Sequence, residues 1–148
     1  MKFLIMNGPN LNLLGSREPA IYGTDTYETL CRMVKAWAQE RGDSADCFQS
    51  NHEGALIDAI QAAQGLYGGI VLNPGSYAFY SYAMYDALRA VSVPAVEVHI
   101  SDIQSREDFR HRPVTAPACR LMICGHGLAG YTEAMEYLKT GAMPGKKL

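Results

Sequence analysis

No apolar run in the 148 residues approaches the ~18 needed for a membrane helix. No CxxC pair and no histidine at zinc-finger spacing accompanies Cys31, Cys47, Cys119 and Cys124, which read as small buried hydrophobes in a reducing compartment. There is no excess of positive charge either. A formal charge of −2 provides no basic stripe for nucleic acid, so an anionic ligand would be held by local groups. The opening MKFLIM runs straight into a strand pattern, without a secretory leader's basic region, long apolar core and cleavage site. These absences lead to the expectation of a cytoplasmic protein forming one domain over residues 1–148, long enough to bury about two-thirds of its unfolded surface.

What is present is an alternation. Strand-length apolar runs at Lys2–Asn7, Ala45–Ser50, Gly69–Asn73, Ala95–Ile100 and Leu121–Cys124 alternate with helical patterns at Thr26–Arg41, Glu53–Gln64, Tyr77–Val91 and Ala129–Thr140. In the first of these helices Leu30, Val34, Trp37 and Ala38 keep the 3–4 spacing of one buried face. Ser50 and Glu53 have the spacing of a capping box, and Gly65 and Gly141 fall where helix ends favour a left-handed residue. Strands continuous in apolar residues, joined by helices, predict a parallel sheet covered on both faces. Five strands in this length predict a flavodoxin-like, doubly wound, three-layer α/β/α fold. Met143 to Leu148 read as a frayed basic tail.

Ligands of such sheets bind beyond the carboxyl ends of the strands, and there the polar chemistry of the chain collects. The first strand is followed by the long loop GPNLNLLGSREPAIYGTDTYE, the second by Asn51 and His52, and the third by Asn73-Pro-Gly-Ser76. The fourth ends in Glu97-Val-His99-Ile-Ser101, and the fifth in Gly125-His126-Gly127. Familiar motifs are missing from these ends. Neither G-x-G-x-x-G nor a Walker loop follows the first strand, no acidic cluster suits a phospho-receiver, no H-x-x-x-H suits a metal, and PGSYA is not a G-x-S-x-G elbow. Acid–base chemistry by Tyr, Arg and His remains.

Tyr22 lies in the glycine-flanked loop five residues after Arg17. Ionising a free tyrosine at pH 7 costs about 4 kcal/mol, part of which a guanidinium within hydrogen-bond reach offsets; a packed loop ring beside a surface arginine is the alternative. Gly15 and Gly23 bracket the segment, so it can act as a lid. Glu97 points to the same strand face as His99 and can hold it as an imidazolium able to give up a proton, although a structural core histidine has the same signature. Asn10 and Asn73 serve equally as turn formers or as amides orienting water or a hydroxyl. Arg106 and Arg110, one helical turn apart, read as a solvated helix face. Tyr77, Tyr80, Tyr82 and Tyr85 read as packing or a subunit interface.

GPNLNLLGSREPAIYG, QSNHEGALID, NPGSYAFYSYAMYDAL, EVHISDIQSREDFR and GYTEAMEYL resemble, in order and spacing, segments of the type II 3-dehydroquinate dehydratases, across nearly the whole chain. The resemblance implies a dodecamer built from trimers. It also implies a cofactor-free, metal-free anti elimination of water from 3-dehydroquinate to 3-dehydroshikimate, a step of the shikimate or quinate pathway. Carried over, Tyr22 becomes the base, activated by Arg17, and Asn10 acts on the enolate through a water. His99, supported by Glu97, protonates the leaving hydroxyl, with Asn73 positioning that end. Ile100 and Ser101 hold the carboxylate, and Arg110 binds ring hydroxyls together with Asp86 from a neighbouring subunit. One segment departs. Where the family reads N-P-G-A-Y-T-H-T-S, this chain reads NPGSYAFYS, so Phe79 replaces a substrate-binding histidine, and Ala78 and Tyr80 replace threonines. A lyase of the same mechanism acting on a different cyclic hydroxy-keto acid, or a non-catalytic binding member of the fold, therefore stand as alternatives.

Overall fold

The computed structural model describes residues 1–144. The sheet runs β2-β1-β3-β4-β5 with every pair parallel, formed by β1 (Lys2–Asn7), β2 (Ser44–Gln49), β3 (Gly69–Asn73), β4 (Ala95–His99) and β5 (Leu121–Cys124). Between them lie α1 (Pro19–Tyr22), α2 (Tyr27–Glu40), α3 (Glu53–Ala62) and α4 (Tyr82–Ala90), and α5 (Ala129–Thr140) follows β5. The expected flavodoxin-like architecture is the observed one. Each strand sends alternate side chains to opposite faces. Phe3, Ile5, Val71, Val98 and Ile123 pack with α2 and α5, whereas Leu4, Met6, Ile70, Leu72 and Ala95 pack with α3 and α4.

The expected ends of α2 are its caps: the Thr26 hydroxyl accepts from the Thr29 N–H, and Arg41 closes the helix. The expected capping box is not formed. Ser50 Oγ accepts from the N–H of His52 at 3.0 Å in a local turn, and His52 itself is the N-cap of α3 without a side-chain cap bond. The helix expected from Tyr77 begins only at Tyr82. A 3₁₀ turn over Gly75–Phe79 ends at Tyr80, whose extended φ of −152° interrupts it, and Ser81 then caps α4 by accepting from Met84 N–H at 3.1 Å. Gly65 and Gly141 do adopt positive φ. Of the basic tail, Gly145 to Leu148 lie outside the described residues. Among the described residues no helix is long and apolar enough to cross a membrane.

Candidate active site

The register of the sheet sets polar groups side by side at its carboxyl edge. Asn7 is level with Gln49 and Asn73, and His99 with Cys124. The ends of β1 and β3 touch so closely that a Cβ on Gly8 would stand 2.3 Å from the Pro74 carbonyl oxygen, so only glycine permits that approach. Asn7 and Asn73 project toward α5, where Tyr131 is completely buried. The Tyr131 hydroxyl donates to Asn7 Oδ1 at 2.5 Å and accepts from Asn73 Nδ2 at 3.0 Å. Burial pushes this phenol far above the ordinary tyrosine range, so it remains a proton donor. Asn73 Oδ1 accepts from the Gly75 N–H at 3.1 Å. The Asn73 amide is thus fixed and keeps one N–H to present to the cavity it lines.

Glu97 and His99 project from β4 to the other face. Glu97 Oε1 meets His99 Nε2 at 2.7 Å, and Glu97 Oε2 accepts from the Thr115 hydroxyl at 2.6 Å. Glu97 is 0% exposed and His99 5%, so the expected pairing exists and water is kept from it. Phe79 stacks on the His99 ring, centroids 5.9 Å apart and planes inclined by 26°. Phe109 packs edge-on against Phe79, and the Arg110 guanidinium lies 5.5 Å from the Phe79 ring. Arg110 also donates from Nε to Glu107 at 2.7 Å, and the Glu107 carboxyl is held below the usual carboxylate range first by its own backbone N–H and then by Arg110.

The long loop supplies the opposite wall. Glu18 at φ 38° turns the chain into the single helical turn of α1, with Pro19 at its first position, and Gly23 at φ 79° leaves it. Tyr22 ends that turn. The Arg17 guanidinium lies over the Tyr22 ring, 4.4 Å from its centroid, and makes no hydrogen bond to the hydroxyl. Arg106 makes it instead: Nη1 donates to the Tyr22 hydroxyl at 2.6 Å and to Ser101 Oγ at 3.3 Å. Two guanidinium groups therefore flank this phenol, one on its face and one on its oxygen.

Arg17, Tyr22, Asn73, Phe79, His99, Ile100, Ser101 and Arg110, together with Arg106, line one cavity of about 20 Å³. On the far side of the Tyr22–Arg106 pair a wider groove of about 590 Å³ runs past Ile100, Ser101, Gly125, Gly127 and Leu128. Two expected residues lie elsewhere. Asn10 is outside the cavity lining, in a left-handed turn at φ 69° with its N–H donated to Asn51 Oδ1 at 3.0 Å. Asp86 is exposed on α4 and does not line the cavity of its own chain. SREDFR is not the solvated helix face that its spacing predicts. It forms two short 3₁₀ turns, Ile103–Ser105 and Asp108–Arg110, with the Arg106 and Arg110 side chains only 10% and 14% exposed. The sequence expectation passed over Thr115 and Tyr131 and placed Arg106 on a solvated helix face. Only Arg106 carried a local signal, its position beside Ser101 at the end of β4.

The sequence model of the family described as Dehydroquinase class II matches residues 1–139. The 3-dehydroquinate dehydratase of Bacillus cytotoxicus is 54% identical, over 90% of this chain and 92% of that protein. That of Lachnospira eligens is 52% identical, over 97% and 99%. The crystal structure of type II dehydroquinase from Butyrivibrio crossotus superposes with a TM-score of 0.93 at 50% identity, covering 95% of this chain and 98% of the other. The chain belongs to the class II dehydroquinase family.

Proposed function

We propose that this protein is a hydro-lyase that removes water from 3-dehydroquinate to give 3-dehydroshikimate, with Tyr22 as base and His99 as acid. The observation that carries it is the convergence on one small cavity of a Tyr22 hydroxyl held by Arg106 at 2.6 Å and a His99 ring backed by the buried Glu97 carboxylate. The Tyr22 phenolate takes a proton from the carbon beside the ketone, and the electron pair enters the carbonyl as an enolate. Asn10, just outside the lining, acts on that enolate through a water. The enolate expels the hydroxyl on the next carbon, which takes the His99 proton and leaves as water. Ile100 and Ser101 hold the substrate carboxylate, Asn73 presents its remaining N–H, and Arg110 reaches the ring hydroxyls. A cavity of about 20 Å³ holds little more than one water-sized molecule. The loop carrying Tyr22 therefore lifts to admit a six-membered ring and closes over it, with glycines at both ends of the segment, Gly15 at φ 93° and Gly23 at φ 79°.

The same reading includes a cytoplasmic dodecamer built from trimers, in which Asp86 completes the site of a neighbouring chain. Its support is the exposure of Asp86 and Tyr82 on α4, away from their own cavity. Incubating the purified chain with 3-dehydroquinate and following the absorbance of the conjugated enone tests the reaction. Turnover supports it, and calorimetric binding without turnover indicates a binding protein. A second reading, a related lyase for a less hydroxylated ring, is favoured by Phe79, which presents a phenyl ring beside His99 where the family carries a histidine. Turnover of such a ring in preference to 3-dehydroquinate would establish it.

A further inference from the structure

Behind His99 lies a buried hydroxyl that never meets the cavity. Thr115 is 0% exposed, and its only reach toward the chemistry is the 2.6 Å bond to Glu97 Oε2. Its segment is pinned on both flanks. Val114 N–H donates to the Ala78 carbonyl at 2.7 Å, Ala118 N–H to the Thr115 carbonyl at 3.0 Å, and Arg120 N–H to the Ala95 carbonyl at 2.8 Å. The same few residues thus tie the strand bearing Glu97 to the turn bearing Phe79, and Phe79 presses on the His99 ring.

A fully buried carboxylate is stable as an anion only when its oxygens are paired. Glu97 and His99 share one proton, which sits either on the imidazole, making an ion pair, or on the carboxyl, leaving two neutral groups. A donor on Oε2 stabilises the ionised carboxyl more than the neutral acid, whose carbonyl oxygen is the weaker acceptor, and so favours the imidazolium. Other groups face this pair. The Cys119 thiol is pushed far above its ordinary range, first by burial and then by the Glu97 charge, so it stays neutral. Arg17, Arg106, Arg110, Tyr22 and Asn73 line the same cavity as His99. The three cations oppose a further positive charge on His99, which leaves the Glu97 carboxylate to hold it there. We propose that Thr115 is a positioning residue of the dehydration: its hydroxyl keeps Glu97 ionised and aimed, so that the shared proton resides on His99. The inference rests on the assignment of His99 as the acid.

The experiment compares Thr115→Val, Thr115→Ala and Thr115→Ser by two readouts. One is the pH dependence of 3-dehydroquinate turnover. The other is nitrogen NMR of ¹⁵N-histidine in the free protein, with the His99 signals assigned by His99→Asn. Val and Ala should lower kcat about tenfold, as for loss of a hydrogen bond to a charged group, and leave KM unchanged, because Thr115 does not touch substrate. They should move the alkaline limb of kcat upward, since a proton held on the carboxyl leaves at higher pH, and convert the His99 signals from imidazolium to neutral imidazole. Thr115→Ser should restore all three. Unchanged His99 signals and an unchanged pH profile in Val and Ala would overturn the proposal, and Ala decides it should Val fail to fold. Wild-type protein that turns nothing over refutes the dehydratase assignment, while the nitrogen signals still decide the role of Thr115.

Discussion

Replacing Arg106 by methionine removes the hydrogen bond that Nη1 donates to the Tyr22 hydroxyl, while Arg17 stays on the ring face. Placing a phenolate at pH 7 costs about 4 kcal/mol for a free tyrosine. A hydrogen bond to a charged oxygen contributes about 1.5–3 kcal/mol, which sets the scale of what Arg106 supplies. Its loss should lower kcat/KM for 3-dehydroquinate at neutral pH by about 10- to 100-fold, each factor of ten being about 1.4 kcal/mol. The loss is one of phenolate population, so activity should recover as the pH is raised by one or two units. Arg17→Met removes only a cation over the ring face, worth about 0.5–2 kcal/mol, and should cost less. The ranking reverses what the Arg17–Tyr22 spacing suggests. The assay is enone absorbance followed from pH 6 to 10 for both variants. Arg106→Met at wild-type rate, or equally impaired at every pH, would refute the assignment of Arg106 as the group that holds the phenolate.

Other consequences can be measured independently. Phe79→His restores a group able to meet a ring hydroxyl, which costs about 1–3 kcal/mol when left unpaired, so kcat/KM for 3-dehydroquinate should rise roughly 5- to 150-fold; a fall would mean that stacking on His99 matters more. Tyr131→Phe strands Asn7 Oδ1 and Asn73 Nδ2 in the core and should lower unfolding free energy by about 2–5 kcal/mol in urea titration; a loss under 0.5 kcal/mol would contradict the network. The Asp43 carboxyl is held below its usual range, first by Lys139 and then by the amino terminus. Its contribution is therefore complete above about pH 4 and lost as the pH falls through the lowered value. Asp43→Asn should be less stable than wild type at pH 7 and converge with it in acid, and a gap that widens on acidification would contradict this.

The fold was legible because β1 and β3 carry unbroken apolar runs, β4 is apolar but for Glu97 and His99, and the helices carry one buried face. The edge bearing the site followed from that alternation, which needs no long-range contact to be seen. Contacts between distant parts of the chain were not legible. Arg106 and Tyr22 are 84 residues apart, and Tyr131 and Asn7 are 124. Arg17, close in sequence to Tyr22, was expected within hydrogen-bond reach of its hydroxyl, but the loop folding back on one turn of helix sends that guanidinium to the ring face, and the hydrogen bond comes from Arg106. The late start of α4 has a local counterpart: the Ser81 hydroxyl caps it by accepting from the Met84 N–H. Ser50 bonds His52 two residues on, and so cannot cap α3.

The measurement that bears most directly on the mechanism is the turnover of 3-dehydroquinate by wild type and by Tyr22→Phe, with circular dichroism and urea titration confirming that both are folded. Wild type should produce the enone, and the variant, which keeps the ring under Arg17 and loses only the oxygen that Arg106 holds, should produce none above background. A folded Tyr22→Phe protein that works at the wild-type rate would show that the proton is taken by another group.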